Sequence, residues 1–145
     1  MGAQTQAREW LETNAYQPVT RRHILVVDDD PSIVRLLKEI LEVEGYRVSC
    51  AYDGDAALRQ VRDHAFNLIV MDVNMPVTNG FQVLQHLRAS PTTARIPVIF
   101  VTGEPSADVY PVVSRDPRAA HVKKPMELES FNSVVRQHLE RYPYP

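Results

Sequence analysis

Residues 67–76 read NLIVMDVNMP. Four bulky apolar residues, Leu68, Ile69, Val70 and Met71, make a run too short for a helix and suited to a buried strand. The run stops at Asp72, so a carboxylate stands at the mouth of a hydrophobic strand. Val73, Asn74, Met75 and Pro76 break the pattern, and Asn79-Gly80 adds a turn signal. An acid at the C-terminal end of a buried strand lies where open α/β sheets place their chemistry. Taken alone, Asp72 reads better as a cap for the next helix. The other strand ends decide between the two readings.

Upstream, Ile24, Leu25, Val26 and Val27 form a second such run, which ends in Asp28-Asp29-Asp30-Pro31. Asp30 as N-cap with Pro31 at the first helical position starts a helix. Ile33, Leu36, Leu37, Ile40 and Leu41 repeat at helical spacing, and Gly45 ends it. Residues 46–51 alternate as a strand, with Cys50 read as a small core residue. Asp53-Gly54 reads as a turn, and residues 56–64 as a helix presenting Ala57, Leu58, Val61 and Ala65. After the central strand, Asn79 or Gly80 opens a third helix with Phe81, Leu84 and Leu87 inward. Residues 96–101 are a fourth strand leading to Thr102-Gly103-Glu104. Residues 121–123 are a short fifth strand before Lys124-Pro125. Leu128, Phe131, Val134, Val135 and Leu139 mark a last amphipathic helix.

Alternating strands and helices imply a parallel sheet covered on both faces. The class is α/β, a flavodoxin-like doubly wound (βα)5 fold with a five-stranded parallel sheet in the order 2-1-3-4-5. Its switch point lies between the first and third strands, the two that end in Asp28-Asp29 and in Asp72.

The 145 residues suit one domain, and 44% hydrophobic with 23% charged residues is ordinary for a globular protein. A net charge of -2 gives no electrostatic footprint for nucleic acid. No apolar run reaches membrane-spanning length, and the first thirty or so residues lack a signal-peptide apolar core. A single cysteine excludes an internal disulfide and fits a reducing compartment, so a cytoplasmic location is expected. Residues 1–22 stand outside the pattern as an extension, where Ala7, Trp10 and Leu11 share a face if the segment is helical. Residues 23–141 form the domain, and 142–145 a Pro-rich, frayed tail.

The topology brings Asp28, Asp29, Asp72, Thr102 and Lys124 to one rim. Crowded carboxylates raise one another's pKa values, which a divalent cation relieves. All-oxygen ligands and a partly open site suit Mg²⁺, which commonly shares its shell with a phosphate. Lys124 offers a point charge for a phosphoryl oxygen and Thr102 a hydrogen-bond donor. Phosphoryl transfer needs mostly positioning and charge neutralisation, and a carboxylate can be its nucleophile.

With ILVVDDDP, VMDVNMPVTNG, VTGE and VKKP in place, residues 23–141 resemble the receiver domain of two-component response regulators, among them the chemotaxis-type single-domain regulators. The resemblance implies Asp72 as phosphoacceptor, with Mg²⁺ held by the side chains of Asp29 and Asp72 and the backbone carbonyl of Asn74. Asp28 would support the metal through water. Thr102 would be the switch hydroxyl and Lys124 the phosphate contact, in a Lys-Pro bond that the family usually holds cis. The phosphoryl donor would be a histidine kinase or phosphotransfer protein, and the chain a stand-alone or excised receiver. Asn74 and Glu104 would border the path of the hydrolytic water and give a phosphate lost in minutes.

Two features depart from the family pattern. His121 stands where the switch residue is usually Tyr or Phe, and an imidazole is smaller and titratable near neutral pH. Pro105, Pro111 and Pro117 fall in the fourth-helix region, so a broken element is expected across 105–117. Two other readings compete. One is a phosphorylation-independent interaction module on the same fold, favoured by His121 and the prolines. The other is a haloacid-dehalogenase-like phosphatase using Asp28 and Asp30 as its D-x-D pair, which leaves Asp72 without a role.

Overall fold

The computed structural model describes residues 21–103 and 108–143. Among these residues, five strands alternate with five helices: β1 (His23–Val27), α1 (Pro31–Val43), β2 (Arg47–Ala51), α2 (Gly54–Asp63), β3 (Leu68–Met71), α3 (Gly80–Ala89), β4 (Val98–Thr102), α4 (Val109–Arg115), β5 (Ala119–Lys123) and α5 (Leu128–Arg141). All strand pairs are parallel, and the sheet order is β2-β1-β3-β4-β5. This is the doubly wound order expected from the sequence. The chain's expected extension, including Ala7, Trp10 and Leu11, lies outside the described residues except for Arg21 and Arg22.

Alternation along the strands builds two cores. Leu25, Val27, Ile69, Met71, Val98 and Phe100 meet α2, α3 and α4 on one face. Ile24, Val26, Leu68, Val70, Ile99 and Val101 meet α1 and α5 on the other. Burial on both faces is why the strands read as unbroken apolar runs.

Local chemistry sets the helix ends. Asp30 caps α1, its side chain accepting from the Ser32 amide, with Pro31 first in the helix. Gly45, at a φ of 95°, turns the chain out of α1. Asn79 caps α3 in a reciprocal box with Gln82. Asp53-Gly54 proves to be a helix start rather than a free turn, because the Asp53 side chain accepts from the Ala56 amide.

Several expectations need correction. In α1, Val34 is buried and Leu36 is 47% exposed. The apolar stripe is broad enough that periodicity alone selects the wrong edge. Leu128 is likewise exposed, as the first residue of α5, while Asn132 is buried and donates to the Glu44 carboxylate. Val83 is buried and Phe81 only partly so, and Ala65 lies exposed beyond α2. β5 begins at Ala119, two residues before the expected start, because Ala119 and Ala120 pair with Val98 and Ile99. Tyr142, expected in the frayed tail, closes α5 through its amide, and its ring lies 5.5 Å from the Arg118 guanidinium.

The expected break in the fourth helix is absent from its described part: α4 is regular from Val109 to Arg115. Pro111 is its third residue. First-turn amides have no intrahelical acceptor, so the missing N–H removes no bond. Pro117 falls past the C-cap, Asp116, where it cannot interrupt anything. At seven residues, α4 is the shortest of the described helices. Arg88 of α3 fixes its far end, donating to the Asp116 carboxylate and the Ile96 carbonyl, each at 2.7 Å. Residues 104–107 lie outside the described residues, and with them Glu104 and Pro105.

Candidate functional site

β1 and β3 are neighbours, so their C-terminal ends deliver Asp28, Asp29 and Asp72 to one point. One carboxylate oxygen from each lies within 4.8 Å of the others. Asp28 and Asp72 are buried, at 2% and 8% exposure, while Asp29 is open to solvent. Backbone bonds hold the strand ends: the Asp28 amide donates to the Ala51 carbonyl, and the Asp72 amide to that of Val27.

Lys124 reaches the same point from the end of β5. Its ammonium donates to Asp28 Oδ2 at 2.9 Å and stands 3.8 Å from Asp72 Oδ2. The Lys124 amide donates to the Thr102 carbonyl, which ties β5 to β4 at the rim. The Lys124-Pro125 peptide is cis. Thr102 is buried as the last residue of β4. Asn74 is exposed in the loop after β3, its amide directed at Asp72 Oδ1 from 3.4 Å.

The electrostatics are unbalanced. Burial and the neighbouring Asp28 carboxylate push the Asp72 pKa above its ordinary 3.8, against the pull of Lys124. A buried carboxylate kept ionised beside another needs more positive charge than one lysine supplies. Three oxygen donors converging on a partly open rim fit a hard divalent cation.

The geometry discriminates between readings of the acids. Asp30 turns away to cap α1, taking hydrogen bonds from the Ser32 amide and hydroxyl. Asp28 and Asp30 therefore do not converge as a D-x-D pair, which removes the phosphatase arrangement. Asp29 joins Asp28 and Asp72 instead.

Two contributors escape a reading of the sequence. Gly80 packs against the back of the site: a Cβ there would lie 2.5 Å from the Asp72 carbonyl oxygen, and the Gly80 amide donates to the Val73 carbonyl. Its local signal is only that of a helix start. Tyr110 of α4 meets the His121 ring edge-on, with centroids 4.9 Å apart. His121 itself is half-buried on β5, opposite Phe100 of β4. Nothing local links residues 110 and 121; the packing of α4 on the sheet brings them together.

A doubly wound sheet with an acid cluster and a lysine at its switch-point rim defines a class of phosphoryl-accepting signalling domains. The family model "Response regulator receiver domain" matches residues 24–136, and the chain belongs to that family. It is 30% identical over 122 residues to the response regulator ArlR of Staphylococcus saprophyticus, covering 83% of this chain and 53% of that one. Among solved structures, the chemotaxis protein CheY4 of Vibrio cholerae superimposes with a TM-score of 0.76 at 28% identity, covering 82% and 99% of the two chains. The response regulator TrrA of Thermotoga maritima, solved in complex with Mg²⁺-BeF, gives 0.69 at 29% identity over 81% and 99%. The chain spans between 26% and 53% of the length of such curated relatives. No helix among the described residues is long and apolar enough to cross a membrane.

Proposed function

We propose that Asp72 accepts a phosphoryl group from a phosphohistidine of a histidine kinase or phosphotransfer protein. The single observation that carries this is the three-carboxylate cluster with Lys124 standing between Asp28 and Asp72. A carboxylate oxygen of Asp72 attacks phosphorus, the P–N bond to the donor imidazole breaks, and that nitrogen keeps the electron pair and takes a proton. The product is an acyl phosphate. Asp28, Asp29 and Asp72, with the Asn74 carbonyl, would hold Mg²⁺, which supplies charge neutralisation when bound. Lys124 exchanges part of its hold on Asp28 for a phosphoryl oxygen. The Thr102 hydroxyl donates to another, and that movement passes to α4 through the His121–Tyr110 pair.

Residues 23–141 would act as the receiver unit, with 1–22 as an extension and 142–145 as a tail. The chain catalyses only its own phosphorylation and dephosphorylation on this reading, in the cytoplasm, with an output partner that is a protein. Asn74 borders the line of attack on the phosphoryl group and, being polar, orients water there. Glu104 would flank it from the other side.

Mass spectrometry after acetyl phosphate and Mg²⁺ treatment tests the assignment. Wild type gains one phosphoryl mass and Asp72→Asn gains none. Labelling that survives in Asp72→Asn removes the proposal.

A further inference from the structure

The loop that follows β3 is bound at its base. The Gly80 amide donates to the Val73 carbonyl at 2.9 Å, and Val73 and Met75 are buried. Asn74 stands between these two anchors, its amide directed at Asp72 Oδ1. The outer part of the loop is strained. Val77 holds a φ of 69°, and across it the Thr78 amide donates to the Pro76 carbonyl at 2.9 Å. A three-residue turn of that hand is rare, and with a β-branched residue at its centre it persists only where the surroundings hold it.

The surroundings here are the start of α2. Thr78 Oγ1 donates to Asp55 Oδ1 at 3.0 Å, across 23 residues. Gly54 meets Thr78 so closely that a Cβ would lie 2.5 Å from the Thr78 carbonyl oxygen and 2.9 Å from its Cβ. The helix does not need this contact, because its cap is Asp53, bonded to the Ala56 amide. The start of α2 is in turn tied to the acid cluster, since the Asp28 amide donates to the Ala51 carbonyl at the end of β2. A path outside the β1–β3 ladder thus joins the two sides of the cluster. It runs from Asp28 through Ala51 and Gly54 to Thr78, then along the loop to Asn74 and Asp72.

We infer that Gly54 and Asp55 are positioning residues for phosphoryl uptake. By clamping Thr78 they keep Val77 in its turn and Asn74 at the acid cluster. The inference rests on the reading of Asp72 as phosphoacceptor. Asp55 acts through Thr78 and bonds neither Asp72 nor Lys124.

Mg²⁺ affinity by calorimetry and the initial rate of phosphoryl uptake from acetyl phosphate, both on the full chain, test it. Thr78→Val and Asp55→Ala should each weaken Mg²⁺ binding and slow uptake several-fold. Gly54→Ala, which must push the Thr78 carbonyl away, should do so at least as strongly. Thr78→Ser and Asp55→Asn keep a donor and an acceptor in place and should restore wild-type behaviour. Asp55→Asn also removes the charge, which separates the clamp from the general benefit of an acid at a helix start. Circular dichroism shows that each variant is folded at the assay temperature. Variants that lower the denaturation midpoint but leave Mg²⁺ affinity and uptake unchanged give these residues a merely structural role and overturn the inference, with Asp72 keeping its own. Impairment in Asp55→Asn equal to that in Asp55→Ala overturns it as well. A wild type that takes up no phosphoryl group removes the reading of Asp72 and the inference with it.

Discussion

At one rim of the sheet, Asp28, Asp29 and Asp72 crowd within 4.8 Å, with Lys124 the ammonium that the structure places between Asp28 and Asp72. At the other, several polar groups have neutral partners. His23 Nε2 is 2.7 Å from the Ser49 hydroxyl, the His23 amide donates to Asn67 Oδ1, and the buried Thr93 hydroxyl donates to the Leu87 carbonyl. Both rims belong to the same sheet and are shaped by the same crossovers. Their contrast shows where this fold tolerates an unfavourable arrangement. These three groups at the N-terminal rim find neutral partners within the chain, whereas the C-terminal rim crowds three carboxylates around one ammonium.

Asp72→Asn challenges this contrast most strongly. Phosphoryl uptake should disappear, while the metal-free protein should gain about 1 kcal/mol as the like-charge crowding falls. Urea denaturation beside mass spectrometry measures both, and a large loss of stability would show that Asp72 is a structural acid.

Lys124→Ala probes the same rim from the other side. Removing the ammonium leaves Asp28 buried without its charged partner and should cost about 3 kcal/mol. Phosphate-induced changes in the amide spectrum should fail to reach α4. Thr93→Val at the opposite rim should cost only about 1 kcal/mol, the worth of one buried neutral hydrogen bond, with phosphorylation unaltered. Equal losses in the two variants would erase the distinction.

The rims should also respond to pH in opposite senses. Asp72 has a folded pKa above its ordinary 3.8, so its favourable contribution is present below 3.8 and is lost as pH rises through the folded value. His23 is pushed below its ordinary 6.5, first by burial and then by Arg47. Its contribution is present above 6.5 and is lost as pH falls through the folded value. Denaturation midpoints for wild type, Asp72→Asn and His23→Gln across this range should separate the two slopes. Mg²⁺ should flatten the Asp72 part alone; a metal effect on the His23 part would contradict the separation.

The smallest effect concerns the loop beside the acid cluster. Val77 is 93% exposed and holds a φ of 69°, a conformation that a β-branched residue adopts with strain. Thr78 beside it donates to Asp55, and Gly54 approaches so closely that a Cβ would lie 2.5 Å from the Thr78 carbonyl oxygen. These contacts hold the loop in place. Val77→Asn should raise stability by about 1 kcal/mol, readable as an upward shift of the thermal midpoint, because Asn accepts the left-handed region.

Much of the fold and of the acid cluster is legible in the amino-acid sequence. Four apolar strand runs, the Asp30-Pro31 and Asn79-Gly80 helix starts and the acid after Met71 are short-range signals, carried by residues within a few positions of one another. They imply the strand order, and the order in turn implies which acids share a rim. The inward edge of α1 escapes because Val34 and Leu36 both lie beside the apolar stripe, and only the neighbouring α5 and sheet decide which is covered. Pro111 misleads because its effect depends on where the helix begins, and Val109 as first residue makes it harmless. Glu104 lies outside the described residues, and its pairing with Asn74 is what the family resemblance implies.

Three things therefore follow from the order of residues alone: the alternation of strands and helices, the starts of α1 and α3, and the presence of Asp28, Asp29, Asp72 and Lys124 at strand ends. Three others exist only in the folded chain. Lys124 bonds Asp28 across 96 residues, Gly80 leaves room for the Asp72 backbone, and Tyr110 meets His121. What separates the two groups is the range of the forces. Propensity and capping act through neighbours along the chain, whereas ion pairs, close backbone approaches and ring contacts depend on which strands the crossovers make adjacent.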